Sequence, residues 1–215
     1  MKYGESLFDI LYLLFAILSG WILLEKARNI NEKKMGIAVL ILGIGDAFHL
    51  IPRVLNCFIT EIDFTPFLGI GKLITSITMT VFYVLMYQIY LGRYELAEKR
   101  NTTLAVMVLA AVRVFLCLCP QNGWLTNSGS VLWGVIRNVP FIALGAIICW
   151  LYYTRRQADK LFAPVWIYIL LSFLFYIPVA VGASIVPMLG MLMLPKTICY
   201  ILLICVFRKA VLGQK

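Results

Sequence analysis

Long apolar runs alternate with short polar connections along the whole chain, seven times in all. They are Leu7–Leu24, Gly36–Phe58, Pro66–Leu91, Leu104–Cys119, Val131–Tyr153, Ala163–Ala183 and Pro187–Phe207. A helix needs about 20 mostly apolar residues to cross roughly 30 Å of hydrocarbon. The fourth run is short and leads into a Pro120-Gln121-Asn122-Gly123 turn. Membrane-spanning strands would alternate polar with apolar positions, and these runs do not. The pattern predicts an all-α polytopic bundle of seven transmembrane helices forming a single domain over residues 1–215.

The charges between the runs add a direction. The first connection carries Lys26, Arg28, Lys33 and Lys34, the third Arg93, Lys99 and Arg100, and the fifth Arg155, Arg156 and Lys160. The tail adds Arg208, Lys209 and Lys215, whereas the second connection holds Glu61 and Asp63 and the fourth and sixth hold no charge. Basic connections stay on the cytoplasmic side, so the N-terminus is expected outside and the C-terminus in the cytoplasm, in the plasma or inner membrane. The first run has only Lys2 ahead of it, with Glu5 and Asp9 close by, and no small-residue cleavage site follows. It reads as a retained span rather than a signal peptide.

Composition narrows the classes. The 215 residues are 62% hydrophobic and 13% charged, with a mean hydropathy of +0.93. Soluble domains are about 45–50% apolar and about 25% charged, which excludes an ordinary soluble protein, a disordered chain and a collagen-like one. The net charge of +9 follows largely from topology. It implies contact with anionic membrane lipids and no nucleic-acid partner. Six cysteines, Cys57, Cys117, Cys119, Cys149, Cys199 and Cys205, lie in or beside spans without a Cys-x-x-Cys. They read as small apolar packing residues, with an external Cys57–Cys117 or Cys57–Cys119 disulfide open as an alternative. With one histidine, His49, and no acidic cluster, neither a metal nor a cofactor is expected.

Helices one to three and five to seven share several features. Trp21 answers Trp150, Ile51-Pro52 answers Ile177-Pro178, Pro66-Phe67-Leu68-Gly69 answers Pro187-Met188-Leu189-Gly190, and Lys72 answers Lys196. The offsets of 129, 126, 121 and 124 fit a three-plus-one-plus-three parallel repeat with sub-bundles 1–91 and 131–215 joined by helix 104–119. In that arrangement the two lysines face a shared site.

Ionisable groups at membrane depth are expensive and are functional candidates by default. Here they are Asp46, Arg53, Lys72, Arg113, Arg137 and Lys196. At about 1.5 Å of rise per residue, Lys72, Arg113 and Arg137 lie roughly 9 Å below the outer boundary, Arg53 slightly shallower, Lys196 about 12 Å down and Asp46 near the midplane. The buried cations thus sit in the outer half, opposite to the side where topology puts the exposed ones. Asp46, His49, Arg53 and Asn56 share one face of helix two, and Lys72, Ser76, Thr80, Tyr83 and Tyr87 one face of helix three. Helix five contributes Arg137-Asn138, helix six Tyr168, Ser172 and Tyr176, helix seven Lys196 and Tyr200, and helix one Asp9, Tyr12 and Ser19. Such stripes are best satisfied by facing an internal cavity; the alternative for the basic residues is snorkelling to head groups.

An Asp46–Lys196 ion pair is the simplest way to bury both groups, with His49 as a proton partner. Arg53, Lys72, Arg113 and Arg137, with Asn138, Tyr83 and Tyr200, then form a ligand site whose charge an anion would balance. An amphiphile with an anionic head, such as a lysophospholipid, an isoprenoid phosphate or a carboxylate metabolite, suits the basic upper part and the apolar lower part. Pro52, Pro140, Pro178 and Pro195 fall inside helices two, five, six and seven, where each invites a kink.

Gly45-Asp46-Ala47-Phe48-His49-Leu50-Ile51-Pro52-Arg53 resembles the Gly-Asp-x-x-x-Leu-x-Pro stretch of bacterial members of the lysoplasmalogenase-like membrane family. That resemblance implies vinyl-ether hydrolysis with Asp46 as catalytic carboxylate. It covers about fifteen residues; the family's Lys-Pro helix and its Ser-Asp motif are missing, and helix five has Arg137-Asn138 instead. The topology, with Lys196 midway along helix seven and Tyr176-x-Pro178 in helix six, is also similar to a microbial opsin. That likeness implies a retinal Schiff base at Lys196, although Lys72 stands where a counterion carboxylate is expected. A transporter, a hydrolase and an opsin separate by gradient dependence, by product formation lost on Asp46→Asn, and by visible absorbance lost on Lys196→Ala.

Overall fold

The computed structural model describes residues 2–59, 61–126, 130–182 and 186–213. These residues form seven α-helices and no strand: α1 (Lys2–Lys26), α2 (Ile30–Phe58), α3 (Thr65–Arg93), α4 (Arg100–Leu118), α5 (Val131–Thr154), α6 (Val165–Gly182) and α7 (Met193–Leu212). All seven chain segments are long and apolar enough to cross a membrane, which makes this a multi-pass membrane protein. Leu7, Leu18, Phe115, Leu132 and Val139, among many others, are exposed on the outer walls of the helices. In water such a continuous apolar exterior would be an aggregation surface; in a bilayer it faces lipid.

Neighbours in sequence are neighbours in space, from α1–α2 through α6–α7, and α7 closes the ring onto α1. The contacts that set the direction of each pair are specific. A Cβ on Gly20 would meet Leu40 and one on Gly36 would meet Leu24, so α1 and α2 run antiparallel. Thr80 meets Arg113 and Tyr87 meets Thr103, which does the same for α3 and α4. Tyr83 packs on Phe141 and Tyr90 on Tyr152, so α3 and α5 run parallel. The helices therefore alternate up and down, with the N-terminus of α1 at one end face and the C-terminus of α7 at the other.

Local chemistry explains the reversals. Asn29 caps α2: its Oδ1 accepts from the Glu32 N–H at 2.9 Å, and Glu32 Oε2 reaches back to accept from the Arg28 N–H at 2.7 Å. This reciprocal capping turns the chain within three residues. Asp63 accepts from the Thr65 N–H ahead of α3 and Ser130 from the Trp133 N–H at the start of α5. The expected Pro120–Gly123 turn is a single 3-10 turn over Pro120–Asn122, ended by Gly123 at φ 57, a left-handed conformation suited to glycine. Between α2 and α3, Gly71 lies against the Phe48 carbonyl, an approach any Cβ would block.

Three sequence expectations change. Helix α1 begins at Lys2 instead of Leu7, which brings Glu5 inside the helix. The seventh run is not one helix: Pro187–Leu192 is a 3-10 segment and α7 starts at Met193. Pro195 therefore sits in the first turn of α7, where its missing N–H costs nothing, while Pro52, Pro140 and Pro178 do lie inside helices. The expected end of the sixth run, Ala183, and the tail residue Lys215 lie outside the described residues. All six cysteines are free; the thiol of Cys57 donates to the Arg53 carbonyl and that of Cys119 to the Phe115 carbonyl, so the external disulfide is absent.

Candidate functional site

The polar stripes do meet inside the bundle, but they divide into two clusters of opposite character. On the α1–α2 side the cluster is acidic. Asp46 accepts a hydrogen bond from the Tyr12 hydroxyl at 2.7 Å. Arg53 is held by Glu5 at 3.0 Å and reaches Asp9 at 3.9 Å. Tyr12 and Asp9 are buried. Arg53 is thus paired with carboxylates of α1. The Glu5–Arg53 pair was not legible in the sequence because Glu5 read as a flank of the first span.

The second cluster is cationic and lies between α3, α4, α5, α6 and α7. Arg113 is its centre and, at 2% exposure, is fully buried among the core side chains. Its Nε donates to Thr80 Oγ1 at 3.0 Å, and its Nη1 donates to Asn138 Oδ1 at 3.0 Å and to the Arg137 carbonyl at 3.1 Å. Its guanidinium carbon lies 3.7 Å from the centre of the Phe141 ring. Asn138 Oδ1 also accepts from the Tyr176 hydroxyl at 2.8 Å, and Asn138 Nδ2 is anchored on the Gly134 carbonyl. Arg137 donates to Asn122 Oδ1 at 2.8 Å and lies 4.3 Å from the Trp124 ring centre. Lys196, also buried, places Nζ 4.8 Å from the ring centre of Tyr176 and 5.5 Å from that of Tyr200.

Among the described residues the ion pairs are Arg53–Glu5, Arg53–Asp9 and Arg93–Asp159. Arg113, Arg137 and Lys196 therefore touch no carboxylate. The expected Asp46–Lys196 ion pair is not a direct contact: the carboxylate is taken by Tyr12 and the ammonium by two ring faces, though the charge of Lys196 still acts on Asp46. A buried ion costs several kcal/mol even after relaxation. Ring faces return about 2 kcal/mol each when desolvated, and neutral acceptors help further, but neither cancels charge.

The remaining expected residues fall around this layer. Lys72 is exposed on α3, within the field of Arg137, so the two lysines matched by the repeat offsets do not share one environment. Tyr83 lies deeper, 3.5 Å from Ser172 Oγ and edge-on to Phe82 and Phe141, as part of the aromatic core. His49 is half-buried against α3 with the Leu68 backbone as partner, and its Nδ1 has none. Asn122 and Trp124 were missed: a polar turn after a short span gave no reason to fold it back over the bundle. Trp124 Nε1 donates to the Cys117 carbonyl and Asn122 Nδ2 to the Leu116 carbonyl, so the loop caps the end of α4 and holds Arg137 at once. Lys196 is the fourth residue of α7 and not midway along it, because the helix begins late; this weakens the likeness to an opsin. Among the described residues no group of histidine, cysteine and carboxylate side chains is placed to hold a metal.

No protein-family model, no curated protein and no solved structure matches this chain. The functional reading rests on the geometry of these side chains.

Proposed function

We propose that this protein binds or transports an anionic amphiphile or a small anion, using the cationic layer of Arg113, Arg137 and Lys196 with Lys72 at its edge. The observation that carries the reading is the fully buried Arg113, which has neutral acceptors and a ring face around it but no carboxylate. Arginine presents a planar fork of donors that matches phosphate or carboxylate, and the Arg113 guanidinium here donates to the backbone carbonyl of Arg137. The proposed orientation puts the N-terminus outside and the C-terminus in the cytoplasm, following the basic connections after α1, α3 and α5. The layer then lies in the outer half of a cell membrane and is entered from outside.

Native mass spectrometry of the purified protein in mild detergent, beside a Lys72→Ala/Arg137→Ala variant, tests this. The expected result is a co-purifying anionic lipid or metabolite that the variant loses. Equal retention by both proteins, or no anion above background in either, overturns the reading.

A second reading, a lysoplasmalogenase-like hydrolase, is favoured by one observation: Tyr12 donates to Asp46 beside a second buried carboxylate, Asp9. It requires product formation in detergent without an ion gradient, lost on Asp46→Asn.

A further inference from the structure

The connection between α5 and α6 carries Arg155, Arg156 and Lys160, at the end of the bundle opposite to the cationic layer. Directly next to it, the outer wall of α5 and α6 forms a groove of about 470 Å³. Its lining includes the exposed Ala146 and the Phe173 ring, which lies where a Cβ on Gly145 would be. It runs from Ile142 and Ile177 to Tyr153 and Trp166, about 16 Å at 1.5 Å per residue. One leaflet contributes about half of a hydrocarbon core roughly 30 Å thick, so the groove spans one leaflet from interface to midplane.

Its mouth differs chemically from its floor. Trp150, Tyr153 and Trp166 cluster there, with ring centres 5.7 Å and 5.0 Å apart along the row, as aromatic side chains do at the head-group level. Arg156 is fixed over this cluster: its guanidinium carbon is 3.9 Å from the Tyr153 ring centre and its Nη1 donates to the Tyr153 carbonyl at 2.9 Å. Arg155 and Lys160 are exposed beside it. An apolar channel one leaflet deep, ending in an aromatic collar with a docked guanidinium, matches an acyl chain joined to a phosphate.

We infer that this groove is a specific site for one anionic glycerophospholipid of the leaflet facing the α5–α6 connection, its acyl chain lying on Ala146 and Phe173 and its phosphate against Arg156 and Arg155. The site is independent of the cationic layer, and neither stands or falls with the other.

The test uses the full chain in nanodiscs of phosphatidylcholine with a minor share of phosphatidylglycerol, followed by native mass spectrometry of retained lipid. The variants are Ala146→Phe, which fills the groove from an exposed position, and Arg155→Gln/Arg156→Gln. Wild type is expected to retain phosphatidylglycerol over phosphatidylcholine. A surface basic residue contributes about 1 kcal/mol toward an anionic lipid, so Arg156→Gln alone lowers that preference about fivefold. Ala146→Phe removes the retained lipid, while Lys33→Gln, at an exposed basic residue outside both sites, leaves it in place. Retention unchanged in both groove variants overturns the proposal. Loss in the arginine variants with full retention in Ala146→Phe also overturns it, since that is attraction to the surface without a groove. Should Ala146→Phe fail to fold, quenching of wild-type tryptophan fluorescence by acyl-brominated lipids decides. Stronger quenching by brominated phosphatidylglycerol than by brominated phosphatidylcholine supports the site, and equal quenching refutes it.

Discussion

Replacing Arg113 with methionine separates a ligand-binding arginine from a structural strut, because the two roles predict opposite signs of stability change. The structure supplies the terms. Without Arg113, Asn138 Oδ1 still accepts from Tyr176 at 2.8 Å, and Thr80 still donates to the Ser76 carbonyl at 2.8 Å. The Arg137 carbonyl lies inside α5, opposite the N–H of Phe141 one turn on. No acceptor is orphaned, and a desolvated charge is removed. Replacement of buried ions by apolar side chains of similar volume is often neutral or stabilising by about 1–4 kcal/mol, and methionine fills the space beside Phe141. The ligand-free Met variant is therefore expected to melt at or above the wild-type temperature.

Binding should move the other way. A hydrogen bond to a charged group contributes about 1.5–3 kcal/mol, so loss of one arginine contact weakens an anionic ligand about 10- to 150-fold. The assay is thermal unfolding in detergent, read by intrinsic fluorescence, during titration with lysophosphatidylglycerol and, as zwitterionic control, lysophosphatidylcholine. A variant that melts far below wild type yet binds lysophosphatidylglycerol as tightly would refute the reasoning and leave Arg113 as a strut.

Two further outcomes are expected. Tyr12→Phe leaves the Asp46 carboxylate without the 2.7 Å donor it has in the structure; stranding a buried acceptor costs about 1–3 kcal/mol, read as a lowered unfolding midpoint that Asp46→Asn in the same background partly restores. Outside the membrane, burial pushes the Asp159 carboxyl up, but the Arg93 hydrogen bond and the Leu161 and Phe162 backbone donors outweigh it and hold it below its ordinary value. A depressed carboxyl stabilises the fold above its unfolded pKa and loses that contribution as pH falls through the folded one, so the melting advantage of wild type over Asp159→Asn should be full at neutral pH and fade below about pH 4.

How much of this was legible beforehand depends on which force sets each feature. The seven helices follow from hydrophobic run length, which a single sequence displays directly, and the observed elements agree except at ends set by local hydrogen bonds. Glu5 illustrates the exception: an acidic residue ahead of an apolar run reads as a flank, yet Arg53 on the next helix draws it into the fold at 3.0 Å. Helical spacing put Thr80, Tyr83 and Tyr87 on one face of α3, and all three are buried in the bundle, because periodicity reports the face of a helix. It does not report which inward faces touch. The partition into an acidic cluster on α1–α2 and a cationic one on α3–α7 depends on helix packing, and so does the capture of Asp46 by Tyr12 instead of Lys196. The folded-back loop carrying Asn122 and Trp124 lies outside periodic segments altogether.

The charge distribution narrows the ligand within the proposed reading. Glu5, Asp9 and Asp46 all lie on the α1–α2 side, where Arg53 is paired with Glu5 and Asp9, so that side carries no excess of positive charge. Arg113 and Arg137 have no such complement: their contacts are Thr80, Asn138, Asn122, a backbone carbonyl and the Phe141 and Trp124 rings, all neutral. A carboxylate brings one negative charge to two guanidinium groups. A phosphate monoester brings about −1.5 to −2 at neutral pH and three acceptor oxygens, enough to meet both forks at once. The aromatic core beneath the layer, Phe82, Tyr83 and Phe141 packed edge to face with Phe173 tilted against Tyr83 and Phe141, is already filled, so the apolar part of an amphiphile must leave sideways, between helices and toward the lipid. A phosphate-headed amphiphile admitted laterally from the outer leaflet meets both constraints, whereas a soluble carboxylate entering along the bundle axis meets neither.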